Sequence, residues 1–330
     1  MLTIKSWKFI SILASLLVAS PLAPRAQQSK VPKVGILWHA GRVEEETIYL
    51  KEIQQGLQAL GYVEGRNINL VNTFANEEYE RFNANAVDLV GRKVDVIVAV
   101  TLPAALAAQR ATKTIPIVFV LVPDPVATKL VDSLGRPGGN ITGLSPLSLD
   151  LLPKRLQLFK EAVVPLSRIA LLVNPSDPII TGRSVEQVRA AAARLDLSIQ
   201  PIEAQKPDQI EPAFSSIQEG VQGVMVQPDG MFFNERKRIA KLALVRRLPS
   251  LVFASAMVED GGLMTYAPNS FAIFRRSATY IDKIIKGTKP ADLPVELPTK
   301  FEFYINLSTA KAIGLDISES ILVRADKLFE

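Results

Sequence analysis

Short apolar runs alternate with amphipathic segments along most of the chain. KVGILWH (33–39), VDVIVAV (94–100) and RIALLVN (168–174) are continuous apolar runs, typical of parallel strands covered on both faces. The other predicted strands are 66–74, 115–122, 141–145, 198–204, 223–227 and 249–254. The predicted helices between them are 44–60, 77–92, 103–112, 150–163, 180–195, 208–218 and 232–247. This alternation predicts an α/β fold with parallel sheets joined by right-handed crossovers.

The pattern restarts in the second half of the chain. KVGILWHA (33–40) aligns without a gap on RIALLVNP (168–175), and VDVIVAVTLP (94–103) matches VQGVMVQPDG (221–230) in pattern. Repetition of a whole β/α unit predicts two similar, Rossmann-like lobes. A single Rossmann-like enzyme domain predicts no second copy.

The carboxyl-terminal part is less regular. A strand within 261–268 and a helix at 269–287 precede a proline-rich connector, which cannot be helical through its prolines; a last strand (301–307) and a short helix (308–314) follow. Such late segments can cross back between lobes and form a hinge of several strands. The predicted division is a first lobe of 27–143 plus 268–293 and a second lobe of 144–267 plus 294–330.

The amino terminus has the pattern of a secretory signal. Lys5 and Lys8 precede an apolar run at 9–19, and a small-residue site ends at Ala26. We expect a signal peptide at 1–26, cleaved near Ala26, and a periplasmic mature protein. The alternative is an uncleaved anchor, for which the run is short, since a spanning helix needs about 20 residues.

Composition removes several function classes. The chain has no cysteine, so neither disulfides nor thiol chemistry are expected. The net charge of +5 falls to +2 without residues 1–26, which hold three basic and no acidic residues, and no basic cluster is interleaved with aromatics. Nucleic acid is therefore not an expected partner.

Catalytic and cofactor patterns are also missing from the sequence. His39 is the only histidine, and no GxGxxG or GxxxxGK[ST] follows a strand. We expect no metal, no cofactor and no catalytic residue, so the chain is not predicted to be an enzyme. The acidic run Glu44-Glu45-Glu46 opens a helix, where negative charge suits the helix dipole, and is interpreted as a solvated face.

A ligand site is predicted where the strands end. In open α/β sheets, ligands bind beyond the carboxyl ends of the strands, and two facing lobes would present those ends to a shared cleft. The candidate ligand-binding residues are Trp38, His39, Thr101, Leu102, Pro103, Ala104, Asp124, Asn174, Ser176, Asp177, Asp229, Phe253 and Tyr266.

Several of these candidates have two interpretations. Thr101 precedes a helix start at Leu102-Pro103, where free N–H groups could bind a carboxylate, or it could simply cap the helix. Asn174 and Ser176 could act similarly in the second lobe, or form a turn around Pro175.

The charged and aromatic candidates also have two interpretations each. Asp124 could accept a ligand ammonium or order its loop. Trp38 and Tyr266 could stack on an apolar ligand or belong to the core.

Five longer segments carry a family resemblance. They are LGYVEGRNI (60–68), TLPAALAAQ (101–109), TIPIVFVLVPDPVA (114–127), LGRPGGNITGLS (134–145) and the tail from 286 to 315. The chain resembles the ABC transporter substrate-binding proteins, including the tryptophan-type ones. That resemblance implies a fold similar to class I periplasmic binding proteins: two Rossmann-like lobes, three crossover segments and a ligand in the cleft.

The same resemblance implies a function and partners. The expected protein is a monomeric, extracytoplasmic solute-binding component of an ABC importer, which closes its hinge on a small carboxylate-bearing ligand and docks on a permease with its ATPase. The expected ligand is an amino acid, aromatic or branched. The loops at 38–40 and 228–233 depart from the tryptophan-type pattern, so a carboxylate without an amine stays open.

Other functions fit parts of the same pattern. A ligand-sensing module for a membrane receptor would have the same fold and a different partner. A periplasmic α/β enzyme would need a general acid or base near His39 or Asp124. A DNA-binding regulator is disfavoured, because the predicted signal stands where a helix-turn-helix would be.

Overall fold

The computed structural model describes residues 30–146 and 149–330. The predicted signal segment, 1–26, lies outside the described residues. Within the described ranges, none of the helices is both long and apolar enough to cross a bilayer.

The first half of the chain builds a five-stranded parallel sheet in the order β2-β1-β3-β4-β5. The strands β1, β3, β4 and β5 are mostly apolar and buried along almost their whole length, whereas the edge strand β2 carries Asn69, Asn72 and Thr73 and is partly exposed. The elements are β1 (Lys33–Trp38), α1 (Val43–Ala59), β2 (Asn69–Phe74), α2 (Tyr79–Gly91), β3 (Val96–Val100), α3 (Leu102–Ala111), β4 (Ile117–Val120) and β5 (Ile141–Leu144).

The second half builds a seven-stranded sheet in the order β12-β11-β10-β9-β8-β6-β7. All its pairings are parallel except that of β10 with β11. The elements are α4 (Leu152–Ala162), β6 (Arg168–Val173), α5 (Pro178–Arg194), β7 (Ser198–Glu203), α6 (Ile210–Ser215), β8 (Val224–Val226), α7 (Gly230–Asn234), α8 (Arg236–Val245), β9 (Ser250–Val252), α9 (Ser255–Glu259), β10 (Met264–Pro268), α10 (Ser270–Ile285), β11 (Phe301–Asn306), α11 (Leu307–Ile313), α12 (Glu319–Leu322) and β12 (Lys327–Phe329).

The two sheets repeat one topology. The order β2-β1-β3-β4-β5 in the first corresponds to β7-β6-β8-β9-β10 in the second. The strands β1 and β6, which carry the aligned sequences, hold equivalent positions. The predicted α/β fold with two parallel-dominated sheets is confirmed.

The chain passes between the sheets more than once. After β10 it returns to the first sheet, where α10 packs on α1 and Phe274 stacks on Trp38. The segment after α10 stays there, since Thr142 Oγ1 donates to the Leu293 carbonyl and Ser145 N–H to the Glu296 carbonyl. The chain then enters the second sheet as β11. Together with the passage after β5, this makes a hinge of several strands; the exact lobe bounds given above remain a prediction.

The structure differs from the sequence prediction in the second half. The helix predicted at 232–247 is two helices, α7 and α8. Met231, Phe232 and Phe233 are all buried, and three consecutive residues point 100° apart around a helix, so one apolar stripe of a long helix cannot hold them. The short elements α9, α12 and β12 were not predicted, because three to five residues carry too little periodicity.

Gly56 provides a test of the return of α10 to the first sheet. A methyl group there would lie 2.5 Å from the Arg275 carbonyl oxygen and 2.7 Å from Cβ of Ala278, both on α10. Gly56→Ala should therefore lower the free energy of unfolding by about 1–3 kcal/mol. Urea denaturation measures the change.

The matched control is Gly182→Ala in α5. Gly182 is exposed, and no atom lies within 4 Å of the added carbon. Helix propensity then raises the free energy of unfolding by about 0.5–1 kcal/mol. Equal effects of the two substitutions would contradict the close packing of α1 on α10.

Candidate ligand-binding cleft

A cavity of about 450 Å³ lies between the carboxyl ends of the two sheets. Each of the ten strands β1–β10 is followed by at least one residue that lines it. One such residue per strand, in chain order, is His39, Glu77, Thr101, Pro123, Pro146, Asn174, Gln205, Gln227, Phe253 and Ser270. This is the edge at which open α/β sheets bind ligands.

The walls of the cavity are mostly apolar, with a few polar groups among them. Apolar and aromatic side chains come from both halves: Tyr49, Phe82, Leu102, Leu106, Leu121, Ile179, Met231, Phe233 and Phe253. Apolar walls with a few placed polar groups are typical of small-molecule sites.

Nine of the residues predicted from the sequence line this cavity. They are His39, Thr101, Leu102, Pro103, Asn174, Ser176, Asp177, Asp229 and Phe253. Their contact with a ligand remains a prediction.

The other four predicted residues lie outside the lining. Trp38 is fully buried, stacks on Phe274 and donates from Nε1 to Asn72 Oδ1 at 2.8 Å. Tyr266 stacks on Phe301, with 5.9 Å between the ring centroids. Both aromatic rings are therefore packed against other aromatic side chains.

The remaining two also have partners within the protein. Ala104 belongs to the buried face of α3. Asp124 Oδ1 accepts from Ala127 N–H, and Oδ2 lies 3.0 Å from Nη2 of Arg183 on α5. Asp124 thus joins the two halves in an ion pair.

The turn interpretation applies to Asn174. Its Oδ1 accepts from Ser176 N–H at 3.0 Å, and its Nδ2 donates to Asp229 Oδ2 at 3.0 Å. Asp177 caps α5 by accepting from Ile179 and Ile180 N–H. This loop is therefore ordered by its own hydrogen bonds and also bonded to Asp229.

An acidic cluster around His39 occupies one end of the cavity. Nδ1 of His39 lies 2.6 Å from Oε1 of Glu77, and Nε2 lies 3.0 Å from Oε1 of Glu46. From the other half, Asn234 Nδ2 lies 3.4 Å from both His39 Nδ1 and Glu77 Oε1. Asp229 also acts electrostatically on His39.

Gly230 permits the close approach of the two halves at this cluster. A Cβ there would lie 2.8 Å from both Glu77 Oε1 and His39 Nδ1. Asp229, the preceding residue, caps α7 by accepting from Phe232 N–H at 3.2 Å. The cap fixes the start of α7. Because Gly230 has no side chain, this helix start can lie against His39 and Glu77 of the first half.

Burial and neighbouring charge shift the pKa values in the cluster. Burial opposes the charge on His39, but Glu46 and Glu77 outweigh it and raise the pKa to about 9. Burial, aided by the charge of Glu77, raises the pKa of Asp229 to about 7. Burial also raises the pKa of Glu46. Three carboxyl groups therefore surround one imidazolium, and two of them have raised pKa values.

Three other buried polar atoms in the lining have no hydrogen-bond partner among the described residues. They are Thr101 Oγ1, Gln227 Oε1 and Arg155 Nη1. Leaving a buried polar group unpaired costs about 1–3 kcal/mol. Atoms of this kind are the natural contacts of a bound molecule.

Thr101 has an unusual backbone. Its φ of 77° and ψ of 168° lie in a region that β-branched residues avoid, and its side chain does not cap α3. The simple capping interpretation is therefore wrong. Strain of this kind, about 1–3 kcal/mol, is found at ligand sites.

The sequence analysis missed three members of the site. Glu46, interpreted as part of a solvated face, is fully buried against His39. Glu77 and Arg155 were not among the candidates. No local signal marks these two, because their partners His39 and Tyr266 lie 38 and 111 positions away. Among the described residues no cluster suited to a metal ion occurs.

Comparison with known proteins gives three similar relatives. A tyrosine-binding protein of Clostridioides difficile is 27% identical over 262 residues, which cover 79% of this chain and 75% of that protein. A conserved domain protein of Vibrio cholerae has a TM-score of 0.85 and 28% identity, covering 91% of this chain and all of that one. An ABC domain from Streptococcus pneumoniae in complex with L-Trp has a TM-score of 0.82 and 26% identity, covering 90% and 99%.

These likenesses agree with the match to a family model. The architecture is that of class I periplasmic binding proteins, as the resemblance implied. The family model, described as ABC transporter substrate binding protein, matches residues 39–329. The chain therefore belongs to the ABC transporter substrate-binding protein family.

Proposed function

We propose that this protein is the extracytoplasmic solute-binding component of an ABC importer and that it captures an amino acid in the cleft. The observation that carries the proposal is the cavity between the strand ends of both sheets, which combines apolar walls with buried polar groups of both charge signs. The relatives that bind tyrosine and tryptophan support an amino acid as the ligand class. The protein binds its ligand and does not transform it.

The acidic cluster is the proposed site of the ligand ammonium. Three carboxyl groups face one imidazolium there, and Asp229 has a pKa near 7 because burial and the charge of Glu77 raise it. An ammonium next to Asp229 would supply the missing positive charge and lower that pKa. Asp124, the other candidate for this role, is already paired with Arg183.

The start of α3 is a proposed contact for the ligand carboxylate. Thr101 Oγ1 is buried without a partner at the cavity wall, and the first N–H groups of α3 have no acceptor within the helix. Together with the positive end of the helix dipole they favour an anion. The apolar body of the ligand would lie against residues such as Phe82, Leu106 and Phe253.

Hinge closure is the proposed mechanism of capture. Contacts across the cleft come from both halves: Asp124 with Arg183, Glu77 with Asn234, and Tyr49 with Phe233 at 5.4 Å between ring centroids. A ligand that touches both halves adds to the closed state only and shifts the equilibrium toward it. The closed protein, proposed to be monomeric and released by cleavage near Ala26, then docks on a membrane permease powered by its ATPase.

A screen of ligands tests this function. We expect an aromatic or branched L-amino acid to raise the melting temperature of the mature protein by on the order of 5 °C at 100 times its dissociation constant. Native mass spectrometry should detect the same molecule bound to gently purified protein. No stabilisation by any amino acid, together with chemical conversion of a screened compound, would contradict the proposal.

Asp229→Asn is the matched variant for this screen. Asparagine still caps a helix, so the fold is kept while the carboxylate is lost. The variant should lose stabilisation by amino acids and respond like the wild type to the same acids without their amine. Equal stabilisation of both proteins by amino acids would exclude Asp229 as the ammonium partner.

The pKa of His39 tests the charge of the cluster. Because the chain has one histidine, NMR of the untagged protein follows a single imidazole. We expect it to titrate near pH 9 in the folded protein and near pH 6.5 in urea. Because the folded-state pKa is raised, the resulting stability is present below about pH 6.5 and is lost as the pH rises through about 9.

The control for the titration is Glu77→Gln. Removing one of the three carboxylates that raise the pKa of His39 should lower that pKa well below the wild-type value. A folded wild-type protein that titrates at or below pH 6.5 would show that the buried carboxylates are protonated and that the cluster carries no excess negative charge.

A further inference from the structure

Arg155 is a buried cation without an anion. The residue lies on α4 and is 2% exposed. Nε donates to the Tyr266 carbonyl at 2.7 Å, whereas Nη1 has no hydrogen-bond partner. No carboxylate of the described residues lies within ion-pair distance of it.

The guanidinium is nevertheless charged at neutral pH. Burial lowers its pKa to about 10, with no counter-charge contributing. Buried charges are usually paired, because removing an ion from water costs several kcal/mol. Glu46 and Glu77 pair with His39. Nothing among the described residues supplies the anion that Arg155 lacks, and a molecule bound in the cleft would supply it.

The position of Arg155 gives such an anion access. Arg155 lines the cavity together with Thr101, Pro146 and Ile180, so a molecule in the cleft can reach it. Three other arginines have carboxylate partners: Arg183 pairs with Asp124, Arg236 with Asp260 and Arg324 with Glu161. These pairs lie nearer the surface, whereas Arg155 is in the cavity wall.

We infer that Arg155 binds a carboxylate of the ligand and so makes the protein select for carboxylic acids. A guanidinium presents a planar fork of donors that matches a carboxylate, and charge-assisted hydrogen bonds of this kind are about twice as strong as neutral ones. The inference rests on the proposed function and extends it, because a cleft with a carboxylate receptor rejects neutral solutes of the same shape.

Two sources of the carboxylate fit this site. If Arg155 and the start of α3 share one group, it is the α-carboxylate of the amino acid. If they hold separate groups, the ligand carries a second, side-chain carboxylate. Arg155 would bind an α-carboxylate and a side-chain carboxylate in the same way, and the probes below distinguish these two groups.

Calorimetric titration of acids against their amides is the test. The probes are L-tyrosine, L-tryptophan and L-glutamate, each compared with its α-amide, and L-glutamate compared with L-glutamine. We expect the wild type to prefer a carboxylate over the matching amide by on the order of 10- to 100-fold. Arg155→Gln should reduce that preference to within a few-fold without weakening binding of the amide.

The acid–amide pair between which Arg155→Gln no longer discriminates identifies the carboxylate that Arg155 binds. Loss of the preference for an acid over its α-amide assigns Arg155 to the α-carboxylate. Loss of the preference for glutamate over glutamine assigns it to a side-chain carboxylate.

Two controls separate ligand binding from a structural role. Arg155→Gln removes an unpaired buried charge, so the unliganded variant should melt no lower than the wild type; a merely structural arginine would lower melting and leave the acid preference unchanged. Arg168→Gln, outside the cavity and bonded to the Glu219 carbonyl, removes the same charge and should leave affinity unchanged. Arg155→Lys, which keeps the charge without the fork, carries the comparison if the glutamine variant does not fold.

The outcomes distinguish this inference from the proposed function. If the wild type binds an acid and Arg155→Gln binds it equally well, the assignment of Arg155 is overturned and amino-acid capture stands. If the wild type binds none of the acids, amino-acid capture itself is overturned, and the role of Arg155 with it.

Discussion

The charges buried at the cleft are the constraint on which the account depends. A buried ion without a partner costs several kcal/mol, because it loses its hydration and gains no opposite charge. At one end of the cavity three carboxyl groups share His39, and at its wall the guanidinium of Arg155 has no anion. The acidic cluster and the guanidinium of Arg155 lie at the same cavity. A zwitterion bound there would place its ammonium at the cluster and its carboxylate at Arg155.

The repeated topology explains why these groups meet. In each half the strands end at one edge of a parallel sheet, and the two edges face one cavity. Residues far apart in the sequence, such as His39 and Asn234, therefore lie at hydrogen-bond distance. Gly230 and the cap formed by Asp229 fix how closely the halves approach.

The sequence predicted the sheets well because their signal is local. The apolar runs at 94–100 and 168–174 contain the strands β3 and β6, and the alignment of β1 with β6 predicted the second lobe. The strand-end rule likewise located His39, Thr101 and Asp229 at the cavity. Trp38 and Tyr266 were less predictable, because an aromatic side chain at a strand end fits a core and a ligand wall equally well.

The charged members of the site could not be predicted for a physical reason. Glu46 belongs to an acidic run at a helix start, where solvation is the usual state, and only the fold brings it to His39. Arg155 lies in an amphipathic helix in which arginine is common. Whether such a residue is paired depends on the side chains and carbonyl groups that the fold brings to it. The carbonyl partner of Arg155, on Tyr266, is 111 positions away in the sequence.

Closure on a ligand is the central claim, and the distance across the cleft tests it most directly. The chain has no cysteine, so Val126→Cys and Gly182→Cys place two spin labels on either side of the Asp124–Arg183 ion pair. Double electron–electron resonance should show a long, broad distribution of label–label distances without ligand. With the amino acid that stabilises the protein most, the distribution should be shorter and narrower. A distribution unchanged at saturating ligand would contradict capture by closure.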